Sequence, residues 1–289
     1  MGTCRHTADN GRWDGEMTLI QYPGKKNSIA QWIISNFPPD YQAMTYLEPF
    51  FGSGSIFFRK ERSAIETIND LDNEIFNLFL QIRENPDDLS FLVMNTPWSR
   101  DEYDFAFERA DNPIEQARRC IVRLWFSLGA NVRAKNGMRF EVKKNTRGFN
   151  YFHLKLPEAI AMATERLKHS TNNLVQIENR NVFELLPKYN RENVLMYLDP
   201  PYLLETRKNK KFYKHEFSYE EHEELLKMIV CSKAKIIISG YENDLYARYL
   251  CGWRMRQTTT KDQAGNRKTE TIWMNYPESQ SMLFMGDNE

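Results

Sequence analysis

Asp199-Pro200-Pro201-Tyr202 is a four-residue segment whose residue types suit binding and reaction of a heterocyclic amine. It follows the apolar run Val194 to Leu198, and open α/β sheets bind ligands at the carboxyl ends of such strands. The two prolines are unsuited to a strand and stiffen the chain where it leaves the sheet. The Asp199 carboxylate and the Pro200 carbonyl accept hydrogen bonds and suit an amino group with two N–H donors, while Tyr202 offers a face on which a base can stack. The alternative interpretation is a proline-rich turn with a buried tyrosine.

A glycine-rich turn lies within Leu47 to Ser55, follows another apolar run and is predicted to lead into a helix. Gly52 and Gly54 allow the backbone to turn sharply and to approach a ligand closely. Phe57 replaces the third glycine of a dinucleotide-binding fingerprint, and the Gly-Lys-Ser/Thr of a phosphate-binding loop is missing. Taken alone, the turn is equally typical of an ordinary strand-to-helix connection.

Asp70 follows the predicted strand that ends at Ile68. A carboxylate at the end of the second strand is where nucleotide-binding α/β folds bind ribose hydroxyls. Asp70 is also placed to cap a helix that begins at Leu71, and the two roles are compatible.

The elements that must position these residues alternate between strands and helices, which predicts an α/β fold with a mostly parallel sheet. Amphipathic helices are expected from Leu71 to Ile82 and from Ser218 to Val230, the second opened by a capping box of Ser218 and Glu221. The short apolar runs expected to form strands are Thr45–Leu47, Ala64–Ile68, Leu174–Ile177, Val194–Leu198 and Lys235–Ser239.

The alternation stops between residues 85 and 155, which we interpret as an insertion. Asn112 and Pro113 predict the start of a helix that ends at Gly129, and Asn136-Gly137 predicts a tight hairpin turn. Between Arg118 and Lys155 there are ten basic residues and one acidic residue. Such a segment can present a cationic face to a polyanion, although a solvated loop is the simpler alternative. Two smaller basic clusters follow, from Arg207 to Lys214 and from Arg254 to Lys268.

Taken together, this order of motifs resembles the Dam-like family of DNA adenine-specific methyltransferases, which includes phage and prophage members. The resemblance extends from about Gln21 to Tyr276 and implies a Rossmann-like sheet that binds S-adenosylmethionine. It implies that methyl transfer to the exocyclic amino group of a flipped-out adenine in duplex DNA uses Asp199, Pro200, Pro201 and Tyr202. It also implies a set of cofactor-binding residues, which are Tyr22, Lys26, Phe50, Gly52, Gly54, Asp70, Asn181 and Asp199.

One position departs from the family pattern. Asn181 stands where the family usually has an acid that contacts the adenine of the cofactor. Asparagine can both donate and accept hydrogen bonds, so we expect altered affinity rather than loss of binding.

The domain organisation implied is a catalytic domain of residues 17–84 and 156–289, interrupted by a target-recognition region of residues 85–155. A flipped adenine requires a protein that grips the flanking phosphates, which gives the basic insertion a role. The residues expected to contact DNA are Arg118, Arg119, Arg123, Arg133, Lys135, Arg139, Lys143 and Lys144.

Other functions remain open from the sequence. An RNA adenine methyltransferase would use the same site. A second alternative is a DNA-binding protein whose methyltransferase site is inactive. A third is an enzyme that methylates glutamine side chains, and such enzymes favour Asn before the two prolines. Four scattered cysteines form no Cys-x-x-Cys pair, so neither a metal site nor a disulfide framework is expected. No apolar run is long enough to cross a membrane, and we expect a cytoplasmic protein without membrane partners.

Overall fold

The computed structural model describes residues 18–128, 135, 137–140, 147–206, 215–261 and 267–278. Seven strands form one sheet in the order β3-β2-β1-β4-β5-β7-β6. The strands are β1 (Thr45–Glu48), β2 (Ile65–Asn69), β3 (Leu174–Glu178), β4 (Val194–Leu198), β5 (Lys235–Gly240), β6 (Arg254–Lys261) and β7 (Arg267–Met274). The first five are parallel, whereas β7 runs antiparallel to both β5 and β6. The predicted α/β class and all five predicted parallel strands are therefore confirmed.

Ten α-helices lie within the described residues. They are α1 (Ala30–Ser35), α2 (Asn73–Glu84), α3 (Pro86–Met94), α4 (Arg100–Phe105), α5 (Pro113–Phe126), α6 (Arg147–Asn150), α7 (Leu156–Leu167), α8 (Val182–Tyr189), α9 (Tyr219–Val230) and α10 (Asp244–Tyr249). A π-helical stretch, Tyr151–Lys155, joins α6 to α7, and 3₁₀ turns form at Tyr41–Ala43 and Leu204–Thr206. The predicted capping box of Ser218 and Glu221 opens α9.

Helices cover both faces of the sheet because successive strand residues point to opposite sides. On one face, Tyr46, Leu195 and Tyr197 pack with α1, α2, α5 and α7. On the other face, Leu47, Met196 and Leu198 pack with α8, α9 and α10. The complete burial of β4 on both faces explains why its sequence is a continuous apolar run.

The strand order reverses beside β1, whose neighbours are β2 and β4. Ligands bind open α/β sheets at such a switch point, outside the carboxyl ends of the strands. The glycine-rich turn leaves β1 here, Asp70 follows β2 and Asp199 follows β4. The topology therefore brings three distant sequence motifs to one edge.

Three local predictions are wrong. The chain after the glycine-rich turn forms hydrogen-bonded turns over residues 55–59 instead of a helix. Helix α2 starts at Asn73 rather than Leu71, because Asp72 is its N-cap. Helix α5 ends at Phe126 instead of near Gly129, because the next residues pair with residues 137–139.

Helices α3, α4 and α5 of the inserted region share one hydrophobic core with the sheet. Leu89, Tyr103 and Ile121 belong to the same buried cluster as Ile68 and Tyr46. The division at residues 84 and 156 remains a prediction about domains, and in the structure the two parts are joined by packing.

Candidate active site

An open cleft of about 740 Å³ lies at the carboxyl edge of the sheet. A narrower extension of about 370 Å³ runs from it towards Glu48 and Lys26, and Asp199 lines both parts. The main cleft combines apolar surfaces with polar groups, among them Phe50, Val182, Phe217, Asp70 and Asn181. This combination fits a ligand with a heterocyclic ring and hydroxyl groups.

The glycine-rich turn forms the floor of the cleft. Gly52 and Gly54 have φ angles of +51° and +65°, a region that other residues rarely adopt. A Cβ atom on Gly54 would lie 2.6 Å from the rings of Phe51 and Phe58. A Cβ on Gly52 would lie 3.1 Å from the ring of Tyr22, which packs over the turn. Both glycines are therefore required by conformation and by close packing.

The Asp70 carboxylate fixes the position of this turn. Its Oδ2 accepts a hydrogen bond from the Gly52 N–H at 2.8 Å, and its Oδ1 accepts one from the Asp72 N–H at 2.9 Å. Asp72, not Asp70, caps α2 by accepting from the N–H of Glu74 at 2.9 Å. The capping role considered for Asp70 is therefore wrong, whereas its position in the cleft is as expected.

Asn69 joins the loops that follow three strands. Its side-chain amide donates to the carbonyls of Pro49 at 2.9 Å and Arg180 at 3.0 Å, and its Oδ1 accepts from the Arg180 N–H at 2.7 Å. All three bonds use groups separated by at least 20 positions in sequence. Apart from its position at a strand end, nothing in the sequence around Asn69 predicts this role.

Asn181 lies at the other end of the cleft, as the N-cap of α8. Its Oδ1 accepts from the Phe183 N–H at 3.0 Å. The residue that departs from the family pattern thus has a structural function, and it also lines the cleft.

Asp199 is held by two side chains, one on each of its carboxylate oxygens. The Ser239 hydroxyl donates to its Oδ1 at 2.7 Å, and Lys26 Nζ lies 3.0 Å from its Oδ2. Lys26 Nζ also donates to the Gly24 carbonyl at 3.0 Å and lies 4.8 Å from the centre of the Tyr202 ring. Lys26 therefore contacts the acid of the motif directly, in addition to lining the cleft extension.

Tyr202 is oriented by Glu270 of β7. The Tyr202 hydroxyl donates to Glu270 Oε2 at 2.7 Å, and the ring of Tyr241 lies edge-on to Tyr202 at 4.6 Å. Burial, together with the charges of Asp199 and Glu270, raises the pKa of Tyr202 well above its usual range. Burial and Glu270 likewise raise the pKa of Tyr241 to about 12. Both tyrosines therefore remain neutral hydrogen-bond donors at physiological pH.

His222 contacts the backbone of the Asp199-Pro200-Pro201-Tyr202 motif at Pro201. This fully buried residue of α9 has Nε2 2.9 Å from the Pro201 carbonyl and Nδ1 3.0 Å from the Tyr246 hydroxyl. Because a carbonyl only accepts, Nε2 carries the proton and Nδ1 accepts from Tyr246. This contact joins residues 21 positions apart that share no sequence motif, so it was not predicted.

Glu48 is a buried carboxyl group at the end of the cleft extension. The Tyr46 hydroxyl donates to its Oε2 at 2.7 Å. Burial raises the pKa of Glu48 to about 8, with a further contribution from Asp199, although Tyr46 and Lys60 oppose the shift. Glu48 is therefore mostly protonated at neutral pH when the cleft contains no added charge.

Comparison with known proteins identifies the family. Residues 22–255 match the model of the D12 class of N6 adenine-specific DNA methyltransferases. The chain belongs to this family. A type II methyltransferase, M1.LlaDCHI of Lactococcus lactis subsp. cremoris, is 26% identical over 217 residues, which cover 70% of this chain and 72% of that protein. The resemblance inferred from the motifs is thereby confirmed at the level of family.

Two solved structures overlap with the methyltransferase more weakly. The rRNA methyltransferase AviRa from Streptomyces viridochromogenes is 13% identical with a TM-score of 0.38, and the alignment covers 85% of this chain and 81% of AviRa. The putative methyltransferase SMU.776, complexed with SAH, is 10% identical with a TM-score of 0.37, covering 86% of this chain and 49% of SMU.776. Overlaps of this size do not bear on substrate or mechanism.

The activity follows from the family. The protein is an enzyme that methylates adenine in DNA, and its cofactor is S-adenosylmethionine. The cleft fits this cofactor in chemistry, because apolar surfaces stand beside the Asp70 carboxylate and the extension ends at Glu48.

The arginines of α5 lie inside the methyltransferase instead of on a DNA-facing surface. Arg118, Arg119 and Arg123 are each 7% exposed. They form ion pairs with three acids from different segments, Glu115, Glu102 and Glu74. A guanidinium group that is buried and already paired is poorly placed to contact a phosphate. The structure therefore argues against the expected DNA contacts of these three residues.

The expected hairpin has a different register. The Leu128 N–H donates to the Gly137 carbonyl and the Arg139 N–H donates to the Phe126 carbonyl, both at 2.7 Å. Gly137 thus lies within the antiparallel pairing instead of in the predicted tight turn, whereas Asn136 lies outside the described residues. Lys135 is about half exposed and pairs with Asp104 at 2.9 Å, while Arg139 Nε donates to the Ser127 carbonyl at 2.9 Å. Arg133, Lys143 and Lys144 lie outside the described residues.

Within the described ranges, no group of three or more His, Cys, Asp or Glu side chains is arranged to hold a metal ion. No helix in the same ranges is both long and apolar enough to cross a membrane.

Proposed function

We propose that Asp199-Pro200-Pro201-Tyr202 receives an adenine flipped out of duplex DNA and prepares its amino group for methylation. The observation that carries the proposal is the position of Asp199, which lines the cofactor cleft while contacting Ser239 and Lys26. Asp199 lines both parts of the cleft, which supports a role for it as a hydrogen-bond acceptor beside the cofactor.

The amino group of adenine is a weak nucleophile because its lone pair is delocalised into the ring. Hydrogen bonds from its N–H groups to the Asp199 carboxylate and the Pro200 carbonyl localise that lone pair. S-adenosylmethionine supplies the electrophilic methyl group on a sulfonium. The contribution of the protein is orientation and electrostatics, in a site whose groups are already in place.

Several residues act by holding this arrangement. Ser239 and Lys26 fix the two carboxylate oxygens of Asp199, and Glu270 fixes the Tyr202 ring against which the base stacks. Asp70 accepts from ribose hydroxyls of the cofactor. Glu48 lies in the narrower extension, where an ammonium group would favour its ionised form despite the raised pKa.

Extrusion of the base costs a few kcal/mol and requires contacts with the flanking backbone. We assign these contacts to residues 85–155, within which Lys135 is an exposed candidate and Arg139 is a partly buried one. Arg133, Lys143 and Lys144 belong to the same proposal on sequence grounds alone.

The decisive experiment is analysis of the product. The purified protein is incubated with S-adenosylmethionine and unmethylated DNA made by PCR, and the DNA is digested to nucleosides for mass spectrometry. N6-methyladenine is the expected product. Methylcytosine, or methylation of a transcribed RNA of the same sequence in preference to the duplex, would contradict the proposal.

A second experiment tests the assignment of residues 85–155. Lys135→Ala should weaken binding to duplex DNA while leaving the affinity for S-adenosylmethionine unchanged. Asp104→Ala is the matched control, because it breaks the same exposed ion pair but keeps the positive charge. Equal DNA affinity for wild type and Lys135→Ala would remove Lys135 from the proposed contacts.

A further inference from the structure

Strands β6 and β7 extend beyond the carboxyl edge of the sheet. The last residue of β5, Gly240, pairs with Thr271, so residues 267–270 of β7 have no partner in β5. These residues pair with residues 258–261 of β6. Four residues of strand correspond to about 13 Å. We call residues 258–261 and 267–270 the edge hairpin.

The edge hairpin carries positive charge beside the active site. Its residues include three basic ones, Lys261, Arg267 and Lys268, and one acidic one, Glu270. Arg254 and Arg256, at the start of β6 and outside the edge hairpin, pair with Glu278. Arg267 and Lys268 lie on the extended part, where Arg267 is exposed and Lys268 is partly buried. The charge is therefore concentrated at the end that passes the sheet edge.

A short series of contacts connects this end to the catalytic motif. Lys268 Nζ lies 5.6 Å from the centre of the Tyr241 ring, and Tyr241 lies 4.6 Å from Tyr202. Glu270, at the base of the edge hairpin, accepts from the Tyr202 hydroxyl. A nucleic acid with its base against Tyr202 therefore has its backbone within reach of the hairpin.

The edge hairpin also lies on the other side of the cleft from the inserted region. Strand β6 is one end of the sheet and β3 is the other. Helix α5 packs against α2, and α2 contacts β3. Gripping DNA from both sides of a flipped base requires contacts at both ends.

We propose that the edge hairpin is a second DNA-binding element, which contacts phosphates flanking the target adenine through Arg267 and Lys268. The proposal rests on the proposed function of the same site. Neutralising phosphates with basic side chains releases counterions, so the contribution of each contact is visible in the salt dependence of binding.

The test measures binding of the full-length protein to a fluorescent 40-base-pair duplex by anisotropy, with S-adenosylhomocysteine present, at several salt concentrations. The double variant Arg267→Ala/Lys268→Ala should bind roughly tenfold more weakly at moderate salt. Its slope of log affinity against log salt should fall by about two, near 0.9 for each lost phosphate contact. Arg256→Ala is the matched control, because it removes a charge from β6 outside the edge hairpin, where Arg256 pairs with Glu278. Its slope should not change.

The charge-retaining variant Arg267→Lys/Lys268→Arg separates a lost contact from a damaged fold, and it should keep the wild-type slope. An unchanged slope in the alanine double variant would overturn the proposal, as would weaker binding to duplex RNA with unchanged binding to DNA. Methylation of adenine by the wild-type protein is measured in parallel. If wild type methylates adenine while the slope is unchanged, the edge hairpin proposal alone has failed.

Discussion

Two groups of charged residues in this methyltransferase were both expected from the sequence to contact ligands, and their surroundings differ in the structure. At the sheet edge, Asp199 and Lys26 contact each other beside an open cleft. In α5, Arg118, Arg119 and Arg123 are about as buried as Lys26, but their partners are acids of α2, α4 and α5 instead of a residue of the cofactor cleft. The difference teaches that a charge at the end of a parallel strand has its location defined by topology, whereas the role of a charge on a helix depends on which acids the folded chain places beside that helix.

The first prediction concerns Asp199, the acid of the pair at the sheet edge, and has the largest expected effect. Asp199→Ala should lower the rate of methyl transfer by about 10³-fold, because the localising acceptor at the reacting nitrogen is lost. Transfer of a radioactive methyl group to PCR-made DNA in a single turnover measures the chemical step. Asp88→Ala removes an exposed acid on α3 and is the control, which should retain wild-type activity. A near wild-type rate for the Asp199 variant would refute the mechanism.

The second prediction concerns a buried network of charged residues around Glu66. Burial alone would raise the pKa of Glu66, but Lys60 and Arg166 outweigh it and lower the pKa to about 2. Because the folded-state pKa lies below the unfolded value, this stabilisation is present above about pH 4.5. It is lost as pH falls towards 2 and amounts to about 3 kcal/mol.

Urea unfolding at several pH values between 5 and 2 measures this effect. The free energy of unfolding should fall more steeply for wild type than for Glu66→Gln, which has no titrating carboxyl at this position. Parallel curves for the two proteins would show that the network does not titrate as described.

The third prediction tests whether the buried arginines of α5 stabilise the fold. Arg123→Ala leaves Glu74 and the Ala106 carbonyl without their guanidinium partner. The free energy of unfolding should fall by about 2–3 kcal/mol, less than for a fully buried pair because Glu74 is partly exposed. Chemical denaturation measures the loss, with Arg248→Ala, an exposed arginine of α10, as the control. Unchanged stability combined with weaker DNA binding would restore Arg123 to the DNA-binding surface.

The fourth prediction has the smallest expected effect. Asp70→Ala should weaken S-adenosylmethionine binding by about 1–3 kcal/mol, because it removes one hydrogen-bond acceptor and the anchor of the Gly52 N–H. Titration calorimetry in the absence of DNA measures this affinity, and thermal melting of the free protein checks that the fold persists. Wild-type affinity would contradict the placement of Asp70 beside the ribose.

The sequence predicted those parts of the fold that depend on local pattern. Buried strands such as β4 are apolar on both faces, and strand ends define where Asp70 and Asp199 must lie. Contacts between distant residues were not predictable. Glu270 reaches Tyr202 across 68 positions and Ser239 reaches Asp199 across 40, and neither pair forms a sequence motif. Gly137 does not form the predicted tight turn, because residues 137–139 pair with residues 126–128 and this pairing outweighs a local preference.

The amide of Asn69 bonds to Pro49 and Arg180 and thereby affects the entropy change on cofactor binding. Loops that must become ordered around a ligand lose conformational entropy, and that loss weakens binding. Here the loops after β1 and β3 are already joined through β2 in the protein alone. Cofactor association therefore requires little ordering of these loops, and S-adenosylmethionine can bind before DNA arrives.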